Sequence, residues 1–314
     1  MFNSMVDKYN YELCMSALKE ENQEIKRVLQ SKEFKTGRYL SEFKKGISSI
    51  SEFRKYLEIV RGKFRWKKLC KHYPIHHSEN EMMAPANYYS DYRFVVYTCI
   101  FGAYDTPQEP CFCPDNCDFV IITDQEVDSN SLWRKKSVES LIPDYEKLTN
   151  AEKNRFCKMM PHILFPEYTY SVYIDGNIKP ISDLTEFINR CNSTGMALHL
   201  HKSRTCVYEE IEACKILRKA STTALDNFRK YLEDQRFPYD YGMNECNVIV
   251  RKHNDPTIIS IMSKWWGIFR SNDVKRDQLS FPYVLYKHGL SPYDLGCLGN
   301  NVQDNSAIRV TVHK

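Results

Sequence analysis

The sequence predicts an α/β protein with a mostly parallel central sheet flanked by helices, preceded by an α-helical N-terminal segment. Apolar, β-branched runs such as residues 94–101 end sharply at polar or glycine residues, which is typical of strands buried on both faces. Segments with helical periodicity lie between these runs, and this alternation favours a parallel sheet. Over residues 1–72, apolar residues recur three and four positions apart, which predicts helices.

Local signals locate the individual elements. Thr149 is a predicted N-cap, Ser182 and Glu186 stand near capping-box spacing, and Asp255-Pro256 places an N-cap before a proline at the first helical position. Strands are predicted at 94–101, 118–123, 170–174, 196–200 and 247–250, and helices at 150–162, 182–191, 208–234 and from 255 onward. In such sheets, ligands bind at the carboxyl ends of the parallel strands.

Length and composition limit the domain organisation. A chain of 314 residues with 42% hydrophobic and 27% charged residues suits a sizeable domain plus an appendage, and it excludes a wholly disordered protein. We predict a helical, basic segment at 1–72, a linker at 73–92 and the α/β domain at 93–314. No apolar run approaches eighteen residues and the first residues lack a signal pattern, so we expect a cytoplasmic protein.

The twelve cysteines predict reduced thiols rather than a disulfide scaffold. Their one cluster is Cys111, Cys113 and Cys117, separated by one and three residues. A structural zinc site usually combines two such pairs, and no matching pair follows. The cluster therefore favours an ordinary loop.

Positive charge is concentrated between residues 31 and 71. That segment carries thirteen Lys and Arg against four Glu, a net charge of +9, which leaves −5 for the rest of the chain. Its densest part, 61–71, interleaves six cations with Phe64, Trp66 and Leu69. The pattern suits peripheral contact with anionic lipid headgroups, a nucleic-acid backbone or a solvated helical face. Because the remainder is acidic, we expect no nucleic-acid partner.

Three predicted strands end in polar residues at the same edge of the sheet. These residues are 98–105 after the first strand, Asp124 after the second, and Asp175-Gly176-Asn177 after the third. An Asp-x-Asn pair can direct two oxygen ligands at one point, which suits Mg²⁺ or Mn²⁺. Asp-Gly-Asn is also a common turn sequence, so the motif alone leaves a simple turn open.

Several ordered blocks between residue 93 and about residue 290 resemble a bacterial and plant family of GT-A-type glycosyltransferases long filed as a domain of unknown function. The blocks are 97–105, 154–158 with Pro161-His162, 171–178, 199–210, 242–254, Trp265-Trp266 and 276–281. Each block is short, but their order and spacing together are specific. The resemblance implies a GT-A-like, Rossmann-like fold that acts on a nucleotide sugar.

The resemblance also implies roles for individual residues. It puts Asp175 and Asn177 at the family's metal position, with Mn²⁺ or Mg²⁺ as the cofactor, although Asn177 is an amide where the family has a second acid. Residues implied to hold the donor nucleotide and its diphosphate are Thr98, Phe101, Gly102, Tyr104, Asp124, Asn154, Arg155 and Lys158.

Glycosyl transfer needs a base for the acceptor hydroxyl or a group that stabilises an oxocarbenium-like centre. The predicted catalytic carboxylates are Asp277 and Glu245. Asp277 leads because it stands where an acid-Gln motif recurs in similar enzymes, yet it suits equally an N-cap for a helix at 278–288. His313 is a further candidate metal ligand. Residues predicted to contact the sugar or the acceptor are His201, Arg204, Glu209, Glu210, Arg276, Gln278 and Trp266.

The sequence therefore predicts a metal-dependent glycosyltransferase for polysaccharide or glycoconjugate synthesis. It would move a sugar from a nucleotide donor, expected to be a UDP-sugar, to a glycan or lipid-linked acceptor. Alternatives are a nucleic-acid or membrane-surface binding protein that uses residues 31–71, or a hydrolase on the same fold. No Gly-x-Ser-x-Gly elbow, Walker loop or His-Glu-x-x-His motif supports the common hydrolase or ATPase classes.

Overall fold

A computed structural model describes residues 5–45, residue 61 and residues 92–312. Much of the basic segment, the predicted linker up to residue 91, and His313 lie outside these residues. The predictions made for them, including the domain boundaries, stay predictions. Among the described residues, no helix combines the length and apolar character needed to cross a membrane.

Strands and helices alternate along the described chain after two N-terminal helices. The strands are β1 (Phe94–Ile100), β2 (Cys117–Thr123), β3 (Arg134–Lys135), β4 (Tyr170–Ile174), β5 (Ile178–Pro180), β6 (Met196–Leu200), β7 (Asn244–Arg251), β8 (Gly296–Cys297) and β9 (Ile308–Val310). The helices are α1 (Met5–Gln30), α2 (Lys32–Lys45), α3 (Asn150–Met159), α4 (Pro161–Leu164), α5 (Thr185–Ile188), α6 (Val207–Ile216), α7 (Thr222–Asp234), α8 (Pro256–Ser271) and α9 (Asp277–Lys287).

Seven strands form one sheet in the order β3-β2-β1-β4-β7-β6-β8. β1 pairs in parallel with β2 and β4, β2 with β3, and β6 with β8. Within this sheet of the described chain, β7 runs antiparallel to its two neighbours, β4 and β6. β5 and β9 form a separate antiparallel pair. This arrangement confirms the predicted α/β class with a mostly parallel sheet.

Each face of the sheet is covered by its own apolar cluster. The larger cluster contains Tyr97 of β1 and Trp265 of α8, and it receives α3 and α6 to α9. The other contains Phe94 of β1 and Phe187 of α5, and it extends to β5 and β9. The strands β1, β2 and β4 are buried along their whole length, as their continuous apolar runs predict.

Two helix starts are confirmed by their caps. Thr149 forms a capping box with Glu152 at the start of α3, and the Asp255 side chain accepts the N–H of Thr257 at 2.8 Å at the start of α8. Pro256 occupies the first turn of α8, as predicted.

Four predicted elements differ from the structure by three residues or more. The helix predicted over 150–162 ends at Met159, and α4 begins separately at Pro161. The helix predicted over 208–234 is two helices, because Arg218 has φ 53° after α6 and Ser221 caps α7. The helix predicted over 182–191 is only α5, and its N-cap is Leu184 rather than Ser182. The strand predicted to begin at Asn247 begins at Asn244, where it pairs with the end of β6.

Helix α1 packs against the C-terminal part of the described chain. Asn22 donates to the carbonyl oxygens of Ser306 at 2.7 Å and Ile308 at 3.0 Å. Arg309 Nε donates to Asn22 Oδ1 at 2.8 Å, and the Lys26 ammonium donates to the carbonyl of Asn305. These contacts attach the first helix to the segment that forms β9.

The described cysteines are free thiols. Cys111 is exposed, whereas Cys117 is buried as the first residue of β2. The Cys113 thiol contacts the carbonyl of Cys117. The cluster therefore belongs to the loop that enters β2.

Candidate active site at the carboxyl ends of the strands

The first two strands end at a shared turn. Gly102, two residues after β1, has φ 68°, which favours glycine, and its N–H donates to Asp124 Oδ2 at 2.7 Å. A Cβ at this glycine would collide with the side chain of Asn150. Asp124 therefore fixes the turn that was predicted to hold the nucleotide. Tyr104, two residues further on, is 66% exposed.

Thr98 and Phe101 lie behind this turn rather than on it. Both are buried, and Phe101 belongs to the larger apolar cluster. Asn154 of α3 donates to the carbonyl of Cys99 at 2.5 Å and so ties the helix to β1. These three side chains support the predicted donor site from within the protein.

A buried cluster of charge lies beside the carboxyl end of β4. The Asp277 carboxylate forms ion pairs with Lys158 (Nζ–Oδ2 2.6 Å) and Arg155 (Nε–Oδ1 3.1 Å) of α3. Lys158 Nζ also lies 3.9 Å from Asp175 Oδ1. Arg155 and Lys158 are three positions apart, so they share a helix face. We call Arg155, Lys158, Asp175 and Asp277 the charge cluster.

Asp175, directly after β4, is the most exposed acid of the charge cluster. Its side chain is 33% exposed, compared with 8% for Asp277. Its Oδ1 accepts the Tyr173 hydroxyl at 2.8 Å, and its backbone N–H donates to the carbonyl of Asn247 at 2.9 Å. Tyr173 and Asp175 are two residues apart at the strand end, so both point to one face.

Asp277 is held ionised by its neighbours. Burial alone would raise the pKa of this carboxyl, but the charges of Arg155 and Lys158 outweigh burial and hold the pKa well below its usual range. The N-cap role left open by the sequence is wrong, because α9 begins at Asp277 and its N-cap is Arg276. Gln278, the next residue of α9, donates to the carbonyl of Asn244 at 3.0 Å.

Glu245 lies in a different environment from Asp277. Its Oε2 accepts the backbone N–H of Val302 at 2.7 Å, and Lys202 is the nearby cation that favours its charged form. Burial dominates, however, and raises the pKa of Glu245. The two predicted catalytic carboxylates therefore differ in proton affinity: Glu245 holds its proton more tightly than an ordinary glutamate, and Asp277 far less tightly than an ordinary aspartate.

The predicted acceptor residues are partly brought together by Glu210 of α6. Glu210 Oε2 lies 3.5 Å from Arg204 Nε and 3.8 Å from His201 Nε2, and all three side chains are buried. Glu209 is half-buried at the start of the same helix. The group lies just beyond the end of β6, on the same edge of the sheet as the charge cluster.

The two tryptophans of α8 contact different neighbours. The Trp265 indole N–H contacts the carbonyl oxygen of Asp277 at 3.0 Å, and its ring is fully buried. The Trp266 ring meets the Phe156 ring edge-on, with centroids 5.4 Å apart, and stacks on the Phe269 ring with centroids 5.9 Å apart. Packing between α3 and α8 thus accounts for Trp266, and these contacts lend no support to its predicted role as a sugar platform.

Sequence reasoning missed Arg251, which contacts the backbone of α3 at Lys158, a member of the charge cluster. This fully buried guanidinium, at the end of β7, donates to the Tyr97 hydroxyl at 2.6 Å and to the carbonyl of Lys158 at 2.6 Å. A cation beside the last turn of α3 is favoured by the helix dipole. The available signal was an arginine that continues the apolar run 248–250 without a break.

Two groups of residues offer metal ligands. Asp175 supplies a carboxylate at the sheet edge, while the Asn177 amide nitrogen donates to the carbonyl of Thr311 at 2.9 Å. The second group is Cys206, Glu209 and Asp240, whose ligand atoms lie within 4.8 Å of one another. A thiol is a soft ligand, so this second set does not match the oxygen ligands that Mg²⁺ and Mn²⁺ prefer.

The fold and the site define an α/β domain with charged groups gathered at the carboxyl ends of its strands. The chain belongs to the TOD1/MUCI70 glycosyltransferase-like domain family, whose model matches residues 71–295. The resemblance to a glycosyltransferase family is thereby confirmed. A relative from Arabidopsis thaliana, "Probable hexosyltransferase MUCI70", is 24% identical over 220 residues, which cover 60% of this chain and 36% of the relative. The chain thus spans just over a third of that relative's length.

Among solved structures, this chain has distant similarity to three proteins described as glycosyltransferases. The apo WbbM bifunctional glycosyltransferase is 10% identical with a TM-score of 0.41, covering 66% of this chain and 39% of that one. The mannosyltransferase Ktr4p from S. cerevisiae is 10% identical with a TM-score of 0.32, covering 68% and 73%. Mouse xyloside xylosyltransferase 1 is 9% identical with a TM-score of 0.31, covering 68% and 80%.

Proposed function

We propose that this protein transfers a sugar from a nucleotide-sugar donor to a hydroxyl group of a glycan or lipid-linked acceptor. Its family is described as glycosyltransferase-like, and its mostly parallel sheet supplies the edge at which α/β proteins bind ligands. The observation that carries the proposal is the charge cluster at that edge, where two cations of α3 lie beside Asp175.

The charge cluster suits the diphosphate of such a donor. Arg155 is the more exposed of the two cations, at 24% against 3% for Lys158, so its guanidinium is placed to meet phosphate oxygens. Lys158 lies behind it and adds positive charge. Preorganised cations stabilise the charge that develops on a departing diphosphate. Asp277, which pairs with both, acts as a positioning residue that fixes their geometry.

Asp175 is the residue that would hold Mn²⁺ or Mg²⁺. A single carboxylate at the edge of the protein fits a cation that completes its shell with phosphate oxygens and water. When bound, such a cation neutralises charge on the diphosphate. Lys158 lies 3.9 Å from the same carboxylate and competes for it. We therefore expect the metal to bind together with the donor rather than alone.

We infer different roles for the two predicted catalytic carboxylates from the opposite directions of their pKa shifts. A general base is most effective when its pKa lies near the working pH. The raised pKa of Glu245 moves in that direction, and the lowered pKa of Asp277 moves away from it. We expect Asp277→Asn to act mainly on KM for the donor, and Glu245→Gln to lower kcat and remove the acid limb of its pH profile.

A thermal-shift screen tests the proposal. UDP, GDP, CDP and their sugars are added with and without Mn²⁺ to the wild type, to Asp175→Ala and to the control Asp273→Ala, an exposed acid before α9. At a hundredfold excess over Kd, a ligand specific for the native state adds about 2.7 kcal/mol, or roughly 5–11 °C in a domain of this size. We expect a metal-dependent shift with UDP that Asp175→Ala loses and Asp273→Ala retains. No shift with any nucleotide would remove the donor site and overturn the proposal.

We also propose that the basic segment 31–71 brings the enzyme to the cytoplasmic face of a membrane, where a lipid-linked acceptor would be presented. The support is its net charge of +9 and its interleaved aromatic residues. Co-sedimentation with phosphatidylcholine vesicles, with and without phosphatidylserine, tests this. Binding should require the anionic lipid and weaken with salt. Equal binding to both vesicles would contradict it.

A further inference from the structure

Three cations near the predicted acceptor residues form no ion pair with any carboxylate in the part of the chain that the structure describes. Lys202 is in the turn after β6, Lys219 follows α6, and Arg276 is the N-cap of α9. We call them the cationic triad. Helix α6 packs on α9, and Gln278 of α9 bonds to β7 next to β6, so these three elements meet at one end of the sheet.

The members of the cationic triad affect one another electrostatically. Loss of water around the ammonium, and then the positive charge of Arg276, lower the pKa of Lys219; Lys202 adds to the same effect. Like charges that converge in a partly dehydrated place destabilise each other. Because Lys202, Lys219 and Arg276 also lie on elements that contact one another at this end of the sheet, an anion bound among them would be stabilised.

The two carboxylates near Lys202 and Lys219 are already engaged elsewhere. Glu210 favours the charged form of Lys219, but its Oε2 lies within 4 Å of both His201 and Arg204. Glu245 lies near Lys202, but its Oε2 accepts the backbone N–H of Val302, and burial raises the pKa of its carboxyl. Within the described ranges, Lys202, Lys219 and Arg276 form no ion pair with a carboxylate.

The Arg276 guanidinium also has unused hydrogen-bonding capacity. Its Nε is buried and has no hydrogen-bond partner among the residues that the structure describes. An unsatisfied buried donor on a charged group costs free energy that a bound acceptor recovers. Asp277, the next residue, is already paired with Arg155 and Lys158.

We propose that the cationic triad binds an anionic group, a phosphate or a carboxylate, carried by the acceptor. The inference rests on the proposed function and specifies the substrate class of that same site. The donor diphosphate is assigned to α3 and the end of β4, whereas Lys202 and Lys219 flank the neighbouring β6 and α6. Arg276, next to Asp277, lies at the border between the two. The enzyme thus presents one cationic region to each substrate.

Titration calorimetry on the full chain tests the proposal, with the donor site saturated by the nucleoside diphosphate that the thermal-shift screen identifies. The probes are glucose 6-phosphate, glucuronate and, as the neutral reference, glucose. We expect one or both anionic sugars to bind at least tenfold more tightly than glucose, which corresponds to 1.4 kcal/mol. The stronger of the two identifies phosphate or carboxylate as the natural group.

Charge-removing variants then locate the binding. Lys219→Gln and Lys202→Gln should each weaken binding of the anionic sugar about tenfold, since hydrogen bonds to charged groups are worth that much. Lys264→Gln, on an exposed position of α8, is the matched control and should leave the affinity unchanged. Because Lys202 is exposed, its variant is expected to fold even where another variant does not.

The outcomes separate this inference from the proposed function. If a nucleotide binds but glucose binds as tightly as both anionic sugars, the inference fails and the proposed function stands. Equal loss of affinity in Lys264→Gln and Lys202→Gln would also overturn the inference, because the effect would then come from the overall charge of the protein and not from the cationic triad. If no nucleotide binds, the proposed function fails and the inference fails with it.

Discussion

Replacing Asp277 by asparagine tests whether the charge cluster is a balanced unit. The asparagine keeps the size of the side chain but removes the negative charge that lies 2.6 Å from Lys158 Nζ and 3.1 Å from Arg155 Nε. Lys158, whose side chain is 3% exposed, would then have Asp175 at 3.9 Å as its nearest described carboxylate. A buried cation would be left without its close partner, so we expect a large loss of stability.

The magnitude follows from the geometry. At an effective dielectric constant of about 20, two unit charges at the Lys158–Asp277 distance attract by roughly 6 kcal/mol. Part of this attraction offsets the cost of removing both ions from water. Removing one partner of a buried pair costs about 3–5 kcal/mol, because the other charge stays buried. For a domain of this size, that loss lowers the melting temperature by roughly 6–20 °C.

Thermal unfolding followed by circular dichroism at several pH values measures this effect. The charge of Asp277 is favoured in the folded state, so its pKa there lies below the ordinary value of 3.8. Its stabilisation is therefore fully present above pH 3.8 and is lost as the pH falls through the lower, folded-state pKa. The difference between the wild type and Asp277→Asn should be constant near pH 7 and shrink below about pH 4.

Two comparisons decide the interpretation. Asp273→Asn, an exposed acid four residues earlier, should melt within about 2 °C of the wild type, since surface changes cost little. If Asp277→Asn melts as high as this control at pH 7, the reasoning about the buried pair is refuted. Adding Lys158→Met to Asp277→Asn removes the stranded cation and should recover part of the lost stability. Strictly additive losses would show that the two side chains act independently.

Three further predictions concern other parts of the molecule. Gly102→Ala should lower the free energy of unfolding, measured in urea, by about 1–2 kcal/mol, because Gly102 has φ 68° and an added Cβ would collide with Asn150. The control Gly37→Ala lies in α2 with open space around it and should not lower the free energy of unfolding. Glu245→Gln should be at least as stable as the wild type at pH 7, because the raised pKa makes the charged carboxylate of the folded wild type unfavourable at that pH. This advantage should vanish below pH 4.5, where Glu245 is protonated in both the folded and the unfolded state. The wild type should gain stability over Lys26→Met as the pH rises from about 8 to 10.5, since burial lowers the pKa of Lys26 to about 8 and the folded state releases its proton first. A difference that stays constant over that range would contradict the last expectation.

Local patterns in the sequence predicted the elements that carry their own signals. The strands at 170–174 and 196–200 were predicted to the residue, because their apolar runs are bounded by polar residues and turns. The starts of α3 and α8 were predicted from Thr149 and from Asp255-Pro256, because capping depends on residues within one turn. The strand ends also placed Gly102 and Asp175 correctly at one edge of the sheet.

Contacts between distant parts of the chain could not be predicted in this way. The strands β3, β5, β8 and β9 are two or three residues long and exist because a neighbouring strand pairs with them. The antiparallel direction of β7 likewise depends on its place between β4 and β6. The β-propensity of a short segment does not predict such pairings, because the hydrogen-bond partners of a strand come from elsewhere in the sequence.

For the candidate site, the sequence by itself determined that polar residues such as Asp175 follow the strand ends, whereas Arg155, Lys158 and Asp277 were named from the family resemblance. Only the tertiary structure decided that Asp277 pairs with both cations while Glu245 lies apart, bonded to the backbone of Val302. Burial and neighbouring charge then moved the two carboxyl pKa values in opposite directions. The sequence gives the chemical type of each side chain, but the proton affinity of a carboxyl depends on the charges and the water that surround it after folding.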